Sequence, residues 1–218
     1  MQDAPKGMIT LFEDFQRDNV TSLTETVSGA SMAPVSGHGG LYRVTGSTGE
    51  GDYSVLAGQL AWEVDEGHPL IMEVRIRANL VANASIFVGF TDAVADTGPP
   101  IEDEDGTLGA NATDAFGFLL EGEQDVTWQA VAIDTDTHKT QEALTKGADA
   151  VNSTWQTLRI EANPNDSGTM HYFIDGALVA TKTSWFDSSI VYCPVVTTDG
   201  RATAVLTDID YIFVQAPR

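Results

Sequence analysis

Residues 155–181, WQTLRIEANPNDSGTMHYFIDGALVAT, constrain the fold more than any other stretch of the chain. Trp155, Leu158, Ile160 and Ala162 open an apolar, partly alternating run. After the turn at 163–168, alternation resumes through Met170, Tyr172 and Ile174. A period of two marks a strand with one buried face. Asp175 and Gly176 follow at once, then Leu178 and Val179. Asp-Gly between two such runs signals a hairpin, because a type I′ turn needs positive φ and glycine supplies it without steric cost. The stretch predicts a three-stranded antiparallel meander, with Trp155 in the core and Asp175 as a turn former rather than an acid catalyst.

The rest of the chain reads in the same idiom. A first strand is expected over 8–15, with Ile9, Leu11 and Phe15 directed inward. Residues 16–40 are rich in Thr, Ser, Gly and Ala and read as an irregular excursion with at most one short strand. Short strands are expected over 41–45 and 53–57, and 60–64 continues the core before a turn. Residues 70–78 (LIMEVRIRA) alternate cleanly, with Met72, Val74 and Ile76 inward and Glu73, Arg75 and Arg77 outward. SIFVGFT (85–91) is dense enough in apolar residues to be a central strand covered on both faces. A long loop is expected over 93–113, then strands over 114–121 and 126–134. The segment 135–151 is polar, with QEALTK making one helical turn or a short edge strand. Strands over 190–197 and 202–214 close the chain, the latter with Val205, Ile209, Tyr211 and Phe213 on one parity. About a dozen short strands without a long helix predict a two-sheet antiparallel sandwich. No compositional break divides the chain, so one domain is expected: an N-terminal strand and extended segment over 1–40, then the sandwich over 41–218.

Charge narrows the function classes. With 32 acidic and 11 basic residues the formal charge is −21, which phosphate backbones and anionic membranes repel. No direct nucleic-acid or membrane partner is therefore expected, and no run approaches the ~18 apolar residues of a membrane-spanning helix. Cys193 is the only cysteine and sits in IVYCPVV, so it reads as a buried small hydrophobe. The first fifteen residues have no apolar core, so no secretory signal is expected.

Glycoside hydrolysis needs two carboxylates on one face. Glu121, Glu123 and Asp125 have that spacing but run into a turn at Gly122. Asp134 with Asp136, and Asp208 with Asp210, alternate outward and are expected to be merely solvated. The run 102–106 (EDEDG) resembles an EF-hand only superficially, since Ile101 and Ala112 fall where carboxylates are required. Asp92, Asp96, Asp134 and Asp136 near strand ends remain possible cation ligands. His38, His68, His138 and His171 are scattered, and no zinc site, metal or cofactor is expected. Trp62, Trp128 and Trp155 are assigned to the core. Trp185 and Phe186 form the exposed aromatic pair, better suited to an interface anchor than a sugar platform.

The order W-x-x-L-x-I, turn, Y-F-I-D-G-x-x-V, carried by Trp155, Leu158, Ile160, Tyr172, Ile174, Asp175, Gly176 and Val179, resembles the concanavalin A-like (laminin G, lectin and glucanase) jelly-roll superfamily. FVGFTDA (87–93) and DAFGFLL (114–120) are similar to companion strands in structural proteins of tailed-bacteriophage virions. This resemblance implies an all-β, concanavalin A-like jelly-roll sandwich. It further implies a non-enzymatic capsid decoration protein, made in a host cytoplasm and bound to the major capsid protein outside the head, as a homo-oligomer. The expected contacts are Met1, Gln2, Asp3, Ala4, Pro5 and Lys6, with Trp185, Phe186 and the loops at 16–40 and 93–113. A lectin-like module is the alternative, taking a host-surface glycan on the concave sheet face and Trp185. A jelly-roll glucanase comes third.

Overall fold

A computed structural model of the chain describes residues 8–16, 22–35, 40–49, 51–64, 68–93, 98–104, 107–135, 137–138, 142–144, 148–164, 168–199, 201 and 203–217. Residues 1–6 lie outside that set, as do His38, Asp96 and Asp136. Two antiparallel sheets face each other across an apolar core.

Sheet I contains β1 (Met8–Glu13), β3 (Ser31–Pro34), β4 (Tyr42–Thr45), β7 (Leu70–Ala78), β15 (Gln156–Asn163), β16 (Thr169–Ile174), β17 (Ala177–Thr183) and β19 (Leu206–Pro217). Its order is β17–β16–β15–β7–β19–β4–β3, and β1 pairs with the C-terminal half of β19 beyond β4. Sheet II contains β2 (Thr24–Ser28), β5 (Tyr53–Ala57), β6 (Trp62–Glu63), β8 (Ser85–Thr91), β11 (Ala115–Glu121), β12 (Asp125–Asp134), β13 (Thr137–His138), β14 (Glu142–Ala143) and β18 (Val191–Asp199). Its spine is β13–β12–β11–β8–β18–β5–β2, with β14 on β12 and β6 on β18.

The meander is present as β15–β16–β17, and its tight turn has φ of 50° at Asp175 and 78° at Gly176. Asp175 also braces the turn, its carboxylate accepting the Thr157 N–H at 2.8 Å. Alternation works as expected on β7, where Leu70, Met72, Val74 and Ile76 are buried. These pack against Ile86, Val88, Phe90, Phe116, Phe118 and Leu120 of sheet II. Tyr172 stands edge-on to Phe118 at 5.1 Å in the centre of this layer.

Four expectations are corrected. Residues 16–40 hold two strands, β2 and β3, each completing the edge of a different sheet. Residues 93–113 are not one loop: β9 (Ile101–Glu104) and β10 (Thr107–Ala110) form a hairpin of their own. Ile9 does not point inward but is 38% exposed on β1; Leu11 alone on that strand packs on the core, and buried Phe15 lies past its end. On β19 a bulge at Asp210 resets the parity, so Ile209 is buried while Tyr211 and Phe213 face outward and Ile212, Val214 and Ala216 face in.

Candidate binding face

The outer surfaces of the two sheets differ in kind. On sheet II, Val55, Phe87, Ala115, Leu119, Val131, Ile133, Cys193 and Val195 form a second apolar layer. The β9–β10 hairpin lies over it, with Ile101 fully buried and Leu108 packed against the layer. Burial of β8 on both faces, as its composition suggested, is thus achieved by a third layer. Gly89 and Gly117 are cross-strand partners here. A Cβ on Gly89 would lie 2.1 Å from the Phe116 carbonyl oxygen, so no larger residue fits.

The ends of sheet II are acidic. At one end Asp92, Asp114 and Asp134 cap three adjacent strands. Burial, reinforced by the charges of Asp92, Asp134 and Asp187, raises the Asp114 carboxyl above its ordinary range. Among the described residues no three His, Cys, Asp or Glu side chains are placed to hold a metal ion. At the other end Glu121 and Asp199 both flank Ser85 in register, and Arg201 bridges them. Its Nη2 donates to Glu121 at 2.7 Å and its Nη1 to Asp199 at 2.6 Å. All three are buried. Glu121 is thus a buried structural partner.

Sheet I presents an open, polar outer face. Alternation on β7 sends Glu73, Arg75 and Arg77 outward, and β15 adds Arg159 and Glu161. The bulge in β19 places Asp210 and Tyr211 beside Arg75, with Asp208 opposite Arg77. Asp208 is not solvated as expected: its side chain is only 5% exposed. Arg43 grips it with Nε at 2.6 Å and Nη2 at 3.0 Å, and Arg77 with Nε at 3.0 Å and Nη2 at 2.8 Å. Burial alone would raise its carboxyl; the hydrogen bonds and charges of both arginines outweigh that and hold it below the usual range. Arg75 pairs with Asp210. Arg159 binds Glu161 at 2.6 Å and Glu73 at 3.3 Å, and Glu73 accepts the Tyr211 hydroxyl at 2.7 Å. Burial and then Glu73 push that phenol up to about 12.

Trp155 belongs to this face, not to the core. It is half-buried, with the guanidinium carbons of Arg75 and Arg77 4.7 and 4.6 Å from its ring centroid. Arg77 also lines a depression of about 140 Å³, together with Arg43, Asn79, Ser153, Leu206 and Asp208. A second, of about 240 Å³ between β3 and β4, shares Arg43.

The sequence-stated contact residues fare differently. Met1, Gln2, Asp3, Ala4, Pro5 and Lys6 lie outside the described residues. Trp185 and Phe186 are half-buried and lean on the main core, with the Lys182 ammonium 4.9 Å from the Trp185 ring and Phe186 6.1 Å from Phe116. The arginine–aspartate cluster was missed, although its signal was present: four of eleven basic residues of an acidic chain (Arg43, Arg75, Arg77 and Arg159) occupy outward strand positions.

No protein-family model matches the chain, and no curated protein matches it in sequence. Solved structures do match in shape. A Bacillus licheniformis β-glucanase is 16% identical with a TM-score of 0.59, over 98% of this chain and 99% of that one. The Emp47p carbohydrate recognition domain is 13% identical with a TM-score of 0.64, over 94% and 93%. A Shewanella oneidensis protein of unknown function is 17% identical with a TM-score of 0.56, over 100% and 89%. The chain therefore has the concanavalin A-like jelly-roll fold, shared with lectin and glucanase structures.

Proposed function

We propose that this chain is a non-catalytic recognition module that binds a saccharide on the outer face of sheet I. The observation that carries the reading is the Trp155 ring beside the Arg43–Asp208–Arg77 cluster and its solvent-open depression. A sugar ring offers an apolar C–H face and a rim of hydroxyls; an aromatic side chain next to fixed planar hydrogen-bonding groups matches both. The two depressions share Arg43 in their linings. Fold alone does not carry this reading, since one sandwich hosts many functions.

The non-catalytic half of the reading is supported by where the acids are. Hydrolysis of a glycosidic bond requires two carboxylates about 5–10 Å apart flanking the substrate. The outward positions of β11 are Ala115, Gly117 and Leu119, covered by the β9–β10 hairpin. Glu121 and Asp199 are engaged with Arg201, and Asp208 with two arginines. The test is a glycan array with wild-type protein and Trp155→Ala. Binding to a defined saccharide set that the variant loses is the expected outcome; no signal on any saccharide refutes the reading.

A second reading, a virion structural protein fixed to the outside of a phage head by contacts with the major capsid protein, is favoured by β1. This strand exposes Met8, Ile9 and, at 59%, Phe12 along the margin of sheet I. Exposed apolar strand margins are association surfaces. Co-sedimentation with capsid shells, abolished by Phe12→Asp, is the outcome this reading requires.

A further inference from the structure

We propose that the saccharide bound at sheet I is anionic, its carboxylate or sulfate taken by Arg43 and Arg77 in the depression beside Trp155. The inference rests on the reading that this face takes a saccharide, and it adds the ligand's chemical class and the residues that select it.

Charge on the face is not evenly spread. Arg75 is balanced by Asp210, while Arg159 faces both Glu73 and Glu161. At the other end two guanidiniums share the single carboxylate of Asp208. Among the described residues one positive charge is left in excess there, on a chain of net charge −21. Arg43 and Arg77 are 35% and 31% exposed, whereas Asp208 lies beneath them. A ligand arriving from solvent meets the cations first.

The hydrogen-bonding inventory points the same way. Asp208 engages Nε and Nη2 of both arginines, and none of these bonds uses either Nη1. Asn79 accepts the Leu206 N–H on its carbonyl oxygen at 2.8 Å, which leaves its NH₂ as the group it can offer a ligand. Ser153, the remaining polar residue of the lining, contributes a hydroxyl. The rim is therefore rich in donors, and its one carboxylate is buried and committed. Such a lining suits a ligand group that only accepts, as a carboxylate or sulfate does. The guanidiniums are already held in place by Asp208, so little side-chain freedom is lost when the anion docks. A polyanion such as nucleic acid does not fit, because the rest of the surface repels a long charged backbone. A single charge on a sugar ring does fit.

The experiment is isothermal titration with four probes: an oligogalacturonate, its fully methyl-esterified counterpart, a sulfated disaccharide, and sodium sulfate with sodium acetate. Esterification removes the charge and keeps the ring, so this comparison needs no variant to fold. Wild-type protein is expected to bind an acidic saccharide about ten- to a hundred-fold more tightly than the ester, the range of one charge-assisted hydrogen-bond pair. Arg77→Gln and, separately, Arg43→Gln are expected to erase that preference, with circular dichroism confirming their fold. Equal binding of acid and ester overturns the inference and leaves the saccharide reading standing. Binding of neutral sugars alone does the same. Free sulfate or acetate binding as tightly as the saccharides shows a bare anion site and overturns it. No binding of any probe, with an empty glycan array, removes both.

Discussion

Replacing Arg201 offers the sharpest test of how sheet II is held together. The guanidinium bridges Glu121 at the end of β11 and Asp199 at the end of β18, across the intervening β8. Exposure of the three side chains is 8%, 1% and 3%. Three strands of the sheet thus meet at one buried cation. Removing it by Arg201→Met leaves two carboxylates without their bridging charge in a site that water barely reaches. Breaking a buried ion pair from one side costs about 3–5 kcal/mol, because the remaining charge keeps its desolvation penalty. For a chain of this length each kcal/mol shifts the melting temperature by roughly 2–4 °C, so a fall of about 6–20 °C is expected. Urea unfolding followed by far-UV circular dichroism measures the difference in free energy directly.

The pH dependence separates an electrostatic cause from simple loss of packing. Protonation of either carboxylate removes part of the uncompensated charge, so the deficit of Arg201→Met must shrink as the pH falls from 7 toward 4. A triple variant that also carries Glu121→Gln and Asp199→Asn must recover a large part of the loss, because neutral amides can be buried at far lower cost. A loss below about 1 kcal/mol, the ceiling for a solvent-screened pair, would refute the claim that this triad is buried and structural. A deficit independent of pH would refute the charge argument itself.

Further outcomes follow from the same geometry. The Tyr172 hydroxyl is buried with no hydrogen-bond partner among the described residues, so Tyr172→Phe should stabilise the fold by about 1 kcal/mol in urea unfolding. Asp208, held below its unfolded value, contributes stability that is present above about pH 4 and is lost as the pH falls through its lower folded value. Asp208→Asn should therefore flatten the acid limb of the stability profile. Asp114 has the opposite sign: its raised folded value makes the ionised form a liability at neutral pH. Asp114→Asn, which keeps an oxygen for the Thr135 N–H, should raise the melting temperature at pH 7 and lose that advantage as the pH drops. Gly89→Ala should prevent stable folding, since its Cβ meets the backbone oxygen of Phe116 on the adjacent strand.

What the sequence disclosed depended on whether burial had one face or two. LIMEVRIRA and SIFVGFT yielded β7 and β8 with the bounds the structure has, because their patterns report local burial directly. The β9–β10 hairpin escaped notice because IEDEDGTLGA has no alternation of its own. It is held by the apolar outer layer of sheet II rather than by its own propensity. Yet the continuous apolar run of β8 demanded a cover on both sides, and the long acidic segment that follows was the nearest chain able to supply it. Read together, the two anomalies would have cancelled.

The outer face of sheet I was concealed by a parity error of the same kind. Gln156, Leu158, Ile160 and Ala162 are the buried set of β15, so Trp155 falls on the other parity with Thr157, Arg159 and Glu161. Its size invited assignment to the core, but a strand directs side chains by position, not by hydrophobicity. The bulge at Asp210 then turned Tyr211 out beside Arg75, while Asp208, ahead of the bulge and opposite Arg77, lies under two arginines from separate strands. Neither shift is visible in any single segment, since each depends on what the neighbouring strand places opposite. Once parity is assigned, the outward residues of five strands compose one statement. Sheet I carries four arginines of an acidic chain, two of them against an indole, and leaves Arg43 and Arg77 with one carboxylate between them. In the proposed binding role, that local deficit, rather than the overall charge, selects the ligand.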